Sequence, residues 1–128
     1  MIYHIARFSF EDGLSSAEEE KGLQMLRELG DIDSTTASIV CQDVGGEAAG
    51  FTHSQIVILD GEDRYTDYHA DPFHAEVIQY VIPRLKKLMI CDATEDLDPA
   101  LAGRFAKAQE GSPAMTPAVI AKLEQIMA

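Results

Sequence analysis

The segment from Tyr65 to His74 collects side chains that can transfer protons. Within ten residues it holds two tyrosines, two histidines and two aspartates. Asp71-Pro72 is typical of a helix start, with aspartate as the N-cap and proline at the first helical position. His74 then lies in the first turn, where free backbone N–H groups and the helix dipole disfavour a positive charge. A neutral imidazole can accept a proton, so His74 is the candidate general base.

Two further histidines lie on predicted strands that would face the same helix. His4 and His53 each share a strand face with apolar residues, because side chains alternate along a strand. We therefore expect both to converge with Tyr68 and His74 on one cavity between the sheet and the helix. The predicted catalytic residues are His74, Tyr68 and His4. The predicted ligand-binding residues are His53, Ala6, Phe8, Val57 and Val81.

A metal site is the main alternative for this segment. His69, Asp71 and His74 carry side chains that commonly ligate metals. Asp71 is needed as the helix cap, however, and its carboxylate should point toward backbone N–H groups. We therefore expect neither a metal nor a cofactor. A histidine on an apolar helix face is often structural, so a ligand-binding or stabilising role stays open beside the catalytic one.

Composition limits the class of protein. A chain of 128 residues is sufficient for one domain with a hydrophobic core. Its formal net charge of −12, from 22 acidic and 10 basic residues, argues against nucleic acid and anionic membranes as partners. Cys41 and Cys91 fall in predicted strands and are expected to be buried free thiols. No apolar run approaches the roughly 18–20 residues of a transmembrane helix, so a soluble cytoplasmic protein is expected.

Hydrophobic periodicity predicts the order of strands and helices. Asp60 and Asp63 resemble a capped start for an additional short helix that ends near His69. The order βαββαβ predicts an α+β, ferredoxin-like fold, in which a four-stranded antiparallel sheet carries both main helices on one face. The predicted strands cover about residues 2–10, 35–44, 51–59 and 87–92, and the main helices about residues 15–30 and 72–82.

The opposite face of this sheet also carries apolar residues, including Ile5, Ile56 and Ile58. Apolar residues on a sheet face without helices indicate a second layer of protein. A second copy of the sheet would supply that layer, so we expect a homodimer as the partner state.

Residues 94–128 differ from the preceding domain, 1–93. Asp98-Pro99 and Thr116-Pro117 each predict the start of a short helix. The first helix would carry Leu101 and Phe105, and the second would carry Val119, Leu123 and Met127. We expect this helical extension to dock on the barrel or on the dimer mate.

The chain combines several short motifs: His4, Gly46-Glu47, Thr52-His53, Tyr68 before Asp71-Pro72-Phe73-His74, and Leu88-Met89-Ile90-Cys91-Asp92. Together these motifs resemble the stress-responsive A/B barrel domain family, also called Dabb. The resemblance covers roughly residues 2–93 and ends on a strand like the family's last one. It implies a ferredoxin-like subunit that pairs into a dimeric α/β barrel.

The family's best understood enzyme type is a plant polyketide cyclase, olivetolic acid cyclase, which performs an aldol condensation without a cofactor. By similarity, His74 is the base, Tyr68 orients it, and His4 and His53 are pocket histidines. The chain departs from the cyclase at Leu26, where the cyclase has a pocket tyrosine.

The resemblance therefore implies a cofactor-free lyase or cyclase acting on a small carbonyl or phenolic compound. The alternative is a non-catalytic dimeric protein that binds a small apolar ligand or confers stability. Haem-degrading and quinol-forming monooxygenases share the barrel shape and form a third class.

Overall fold

The computed structural model describes residues 1–127. Its sheet has the order β2-β3-β1-β4, and every neighbouring pair of strands is antiparallel. This is the predicted ferredoxin-like α+β fold. The strands are β1 (Ile2–Phe10), β2 (Ala37–Gln42), β3 (His53–Leu59) and β4 (Leu85–Thr94), and the helices are α1 (Ser16–Glu28), α2 (Glu62–Ala70), α3 (Pro72–Val81), α4 (Leu101–Glu110) and α5 (Pro117–Ile126).

Capping explains where most helices begin. The Ser15 hydroxyl accepts from the backbone N–H of Glu18 at α1, and Asp71 accepts from Phe73 N–H at α3. The prediction that Asp60 and Asp63 cap α2 was wrong. Gly61 is the N-cap of that helix, with φ of 97° and no side-chain hydrogen bond. A glycine adopts this left-handed conformation without strain, so the chain turns there before α2.

The inner face of the sheet forms the core beneath α1 and α3. Residues paired across an antiparallel sheet point to the same side, so the strand register defines rows of side chains across this face. One row joins Val57, His4 and Asp92, and the next joins Gln55, Ala6 and Ile90. A third row joins His53, Phe8 and Leu88. These rows determine which predicted site residues can meet.

The extension packs against its own subunit. Helix α4 lies on α2, and α5 lies on β4 and on the turn that follows α3. Leu123 is partly buried, whereas Met127 is 44% exposed. The buried side chains that the extension adds to the common hydrophobic core are Leu101, Phe105, Val119 and Ile126.

The start of α5 offers a test of how firmly the extension is held. The Thr116 hydroxyl accepts from the Val119 backbone N–H at 3.2 Å. Thr116→Ala should lower the free energy of unfolding by about 1 kcal/mol, because that N–H loses its cap. Thermal unfolding would measure a fall of a few degrees. Thr66→Ala, at an exposed position within α2, is the matched control, and an equal effect of both changes would contradict the capping role.

The outer face of the sheet carries no helix in residues 1–127. One row across it joins Ile39, Ile56, Ile5 and Cys91. Ile39 is 46% exposed, Cys91 is exposed and Cys41 is half-buried. Within a single subunit the prediction of two buried cysteines is therefore wrong, because both lie on this face rather than under the helices. None of the helices within residues 1–127 combines the length and apolar character needed to cross a bilayer.

Candidate functional site

A cavity of about 720 Å³ lies between β4, α3 and the two helices of the extension. Its volume is in the range of small-molecule sites. The polar side chains that line it come from four different elements, and they gather at one part of an otherwise apolar surface. They are His4, His69, His74, Gln109 and Glu110.

The centre of the polar group is a hydrogen-bonded histidine–aspartate pair across β1 and β4. His4 and Asp92 are register partners, and His4 Nδ1 lies 2.5 Å from Asp92 Oδ1. The two side chains are 9% and 15% exposed. Because an ionised carboxylate can only accept, Nδ1–H must be the donor, and His4 Nε2 remains available to a ligand.

The second oxygen of Asp92 is held by two other side chains. Tyr65 donates its hydroxyl to Asp92 Oδ2 at 2.9 Å, and Gln109 Nε2 donates to the same oxygen at 3.1 Å. Gln109 also donates to the Tyr65 hydroxyl at 2.6 Å. Burial raises the pKa of Asp92, but the hydrogen bond and charge of His4 lower it, and the net pKa lies below the usual value. Asp92 is therefore ionised at neutral pH.

His69 and His74 form an aromatic cluster with Tyr68 beside this pair. The ring centroids of His74 and Tyr68 are 4.5 Å apart, and those of His69 and His74 are 5.1 Å apart. The His4 ring lies 5.6 Å from that of His69. Within residues 1–127, His69 Nε2 and His74 Nδ1 are buried without a hydrogen-bond partner. Both histidines also line the cavity, where a ligand can contact their rings.

Both of these histidines are neutral at pH 7. Burial, and then the nearby His69 and His4, lower the pKa of His74 to about 3. Burial, and then His4, lower the pKa of His69 to about 4. Burial also raises the pKa of Tyr68, so its hydroxyl stays protonated. The low pKa of His74 agrees with the sequence-based prediction, but burial is the main cause rather than the helix start.

The structure brings the rings of His4, Tyr68 and His74 together, but Tyr68 packs behind His74 without lining the cavity, and His53 lies elsewhere. Its register partner is Phe8, four residues beyond His4 along β1, which corresponds to about 13 Å. The His53 ring stacks on Phe8 and lines a separate cavity of about 430 Å³ near Lys86. A shared strand face was therefore insufficient to place the two histidines in one site.

The predicted apolar wall was also misplaced. The four residues are buried in the core under α1 and α3, where none of them lines the 720 Å³ cavity. The residues concerned are Ala6, Phe8, Val57 and Val81. The apolar wall instead includes Ile78, Ile82 and Ile90 from the domain.

Four polar participants were missed in the sequence. Tyr65 is absent from the predicted site residues, His69 was considered only as a metal ligand, and Asp92 appeared only as the end of a strand motif. Pairing β4 with β1 would have placed Asp92 opposite His4. Nothing in the sequence pattern distinguishes Gln109. Within residues 1–127, no cluster of three or more His, Cys, Asp or Glu side chains has the arrangement of a metal site.

Comparison with known proteins gives one family and several solved structures of the same fold. The family model described as the stress-responsive A/B barrel domain matches residues 2–95. No curated protein matches the chain. A protein of Arabidopsis thaliana is 23% identical, with a TM-score of 0.67, and the match covers 77% of this chain and 98% of that one.

Two other solved structures share the fold. A dimeric ferredoxin-like protein of unknown function from Thermobifida fusca is 24% identical, with a TM-score of 0.63 and coverage of 73% of this chain and 89% of that one. Hydroxynitrile lyase from Passiflora edulis is 17% identical, with a TM-score of 0.66 and coverage of 76% and 96%. The extension beyond residue 95 lies outside the family model.

Proposed function

This chain belongs to the stress-responsive A/B barrel domain family, and we propose that it is a cofactor-free lyase or cyclase for a small, uncharged carbonyl or phenolic compound. The observation that carries the proposal is the 2.5 Å His4–Asp92 hydrogen bond at the wall of a ligand-sized cavity. This pair can accept a proton from a carbon next to a carbonyl group.

His4 is the base in this proposal. Asp92 fixes the imidazole with Nδ1 as donor, so the lone pair on Nε2 is available to the ligand. The same carboxylate stabilises the imidazolium that forms when His4 takes the proton. Tyr65 and Gln109 hold Asp92 from its other oxygen and keep the pair in position.

His69 and His74, which line the cavity, then bind the oxygen on which negative charge develops, and Tyr68 packs against His74. A histidine with a pKa of about 3 is a poor base, because a general base works best near the pH of the reaction. A neutral imidazole can instead donate a hydrogen bond to an enolate through its N–H group. This assignment exchanges the roles that the family resemblance gave to His74 and His4.

The fold is compatible with such chemistry, since a hydroxynitrile lyase from Passiflora edulis has it. Binding without catalysis is the second candidate. It is supported by Leu26, a core residue that is 4% exposed and offers no hydroxyl where the cyclase has a tyrosine.

Exchange of the α-protons of 2-octanone in D₂O tests the proposal. Proton NMR should show that the methylene and methyl protons next to the carbonyl disappear faster with the protein than in buffer alone. A protein that binds the ketone without accelerating exchange would support the binding candidate and refute the catalytic one.

We also propose that the outer sheet face packs on a second copy of this chain. The support is the apolar row through Ile39, Ile56 and Ile5, together with relatives of the same fold that are dimeric. An interface of about 800 Å² per subunit would be normal for such a contact. This dimer is the self-association expected from the sequence.

Ile56→Glu should convert the dimer to a monomer, because a charge would be buried in the contact. Sedimentation equilibrium at micromolar concentration would measure the change. Arg64→Glu, at an exposed position on α2, is the control and should leave the dimer intact. A folded monomer for the unmodified protein would contradict the proposal.

A further inference from the structure

The extension supplies a large part of the cavity wall, although it lies outside the family model. Its apolar lining faces the cavity opposite Ile78, Ile82 and Ile90. Ile120 and Met127 are 43% and 44% exposed, so they lie where the cavity meets solvent. The apolar lining residues of the extension are Ala106, Met115, Ile120, Leu123 and Met127.

The extension is fixed to the polar part of the same cavity. Gln109 reaches from α4 to Asp92 and Tyr65 at 3.1 and 2.6 Å. The Phe105 ring stacks on that of Tyr65 with centroids 4.2 Å apart. Both contacts join α4 to residues that hold the His4–Asp92 pair. The wall contributed by the extension therefore has a defined position relative to the reactive histidine.

The lining also restricts the charge of a ligand. Within residues 1–127, neither lysine nor arginine lines the cavity, whereas Glu110 does and Asp92 lies directly behind His4. His69 and His74 are neutral, so they offer no positive charge to a carboxylate or phosphate. The chain as a whole carries a net charge of −12, which further opposes anions. An uncharged polar group is the chemistry that fits this end of the cavity.

We propose that residues 101–127 determine substrate specificity, by holding the apolar chain of an uncharged ketone whose carbonyl group meets His4, His69 and His74. The inference rests on the proposed function in so far as a carbonyl compound must bind in this cavity. It adds that the extension recognises the apolar chain of the ligand, and that this recognition is the reason why the extension packs beside the cavity.

A series from 2-pentanone to 2-undecanone tests this inference. Dissociation constants are obtained by displacement of the fluorescent, uncharged probe N-phenyl-1-naphthylamine. In the unmodified protein, affinity should rise about fourfold for each added methylene until the cavity is full, since each buried methylene contributes about the usual transfer free energy. Octanoate at pH 7.5 should bind at least about tenfold more weakly than 2-octanone, because the cavity lining offers no cation to pair with its charge.

Ala106→Trp should fill the apolar part of the cavity from an exposed position on α4, which avoids disturbing the core. Affinity for 2-nonanone should fall about tenfold or more, while affinity for 2-pentanone changes little. Ala118→Trp is the matched control, because Ala118 is exposed on α5 and does not line the cavity. Its chain-length profile should equal that of the unmodified protein.

The outcomes separate the two proposals. If ketones bind with the same chain-length profile in Ala106→Trp and in the unmodified protein, the role of the extension is refuted and the proposed function stands. If octanoate binds as tightly as 2-octanone, the selection for uncharged ligands is refuted. If no ketone of any length binds to the unmodified protein, both the proposed function and this inference are overturned.

Discussion

His4→Gln should slow the α-proton exchange of 2-octanone by about 10²–10⁴-fold, the range associated with the loss of a general base. Glutamine keeps a polar side chain opposite Asp92 but cannot take up a proton near neutral pH. The rate of exchange in D₂O, followed by proton NMR at saturating ketone, gives the effect on the chemical step. The dissociation constant of the ketone should change much less than the rate.

Asp92→Asn separates the positioning of the His4 ring from the stabilisation of the imidazolium that forms on proton transfer. An amide can still accept from His4 Nδ1, but it no longer stabilises the imidazolium, so the rate should fall and its pH profile should shift. His53→Gln is the matched control, because His53 lines the other cavity. His74→Gln should reduce the rate less than His4→Gln. If His74→Gln abolishes exchange and His4→Gln does not, the assignment of the base is wrong.

Lowering the pH from 7 to 5 should lower the thermal midpoint by on the order of 10 °C. The pKa values of His69 and His74 in the folded protein are about 4 and 3, below the unperturbed value of about 6.5. At a pH between the folded and the unfolded pKa values of these two histidines, the unfolded chain therefore binds more protons than the folded protein. Stability is complete above pH 6.5 and declines as the pH falls toward 4, by about 1.4 kcal/mol per pH unit for each group.

The carboxylate of Asp92, which lies near these histidines, does not reproduce this change. Asp92 has a lowered pKa, so its contribution to stability is lost only below about pH 4, outside the range of the experiment. Replacing His74 with glutamine should therefore reduce the dependence of the midpoint on pH by about half. The matched control is His53→Gln, which removes a half-buried histidine from the same protein. An unchanged dependence in the His74 variant would contradict the buried neutral state of His74.

The sequence alone predicted the elements that depend on local patterns. Alternation of apolar residues predicted β1. The Asp71-Pro72 pair predicted the start of α3, where the Asp71 carboxylate accepts from the Phe73 backbone N–H. Tyr68 and His74 could be predicted as neighbours, because they are only six residues apart and lie on either side of the turn between α2 and α3. These features follow from the geometry of one strand or one helix end, which neighbouring residues determine.

Only the tertiary structure identified the remaining parts of the site. His4 and Asp92 are 88 residues apart in sequence, and they meet because β1 pairs with β4 in one particular register. Gln109 reaches this pair only because α4 packs on α2. The pKa of His74 depends on how deeply the surrounding elements bury it. Strand pairing, helix docking and burial are long-range properties, so local spacing could neither exclude His53 from this site nor bring the extension into it.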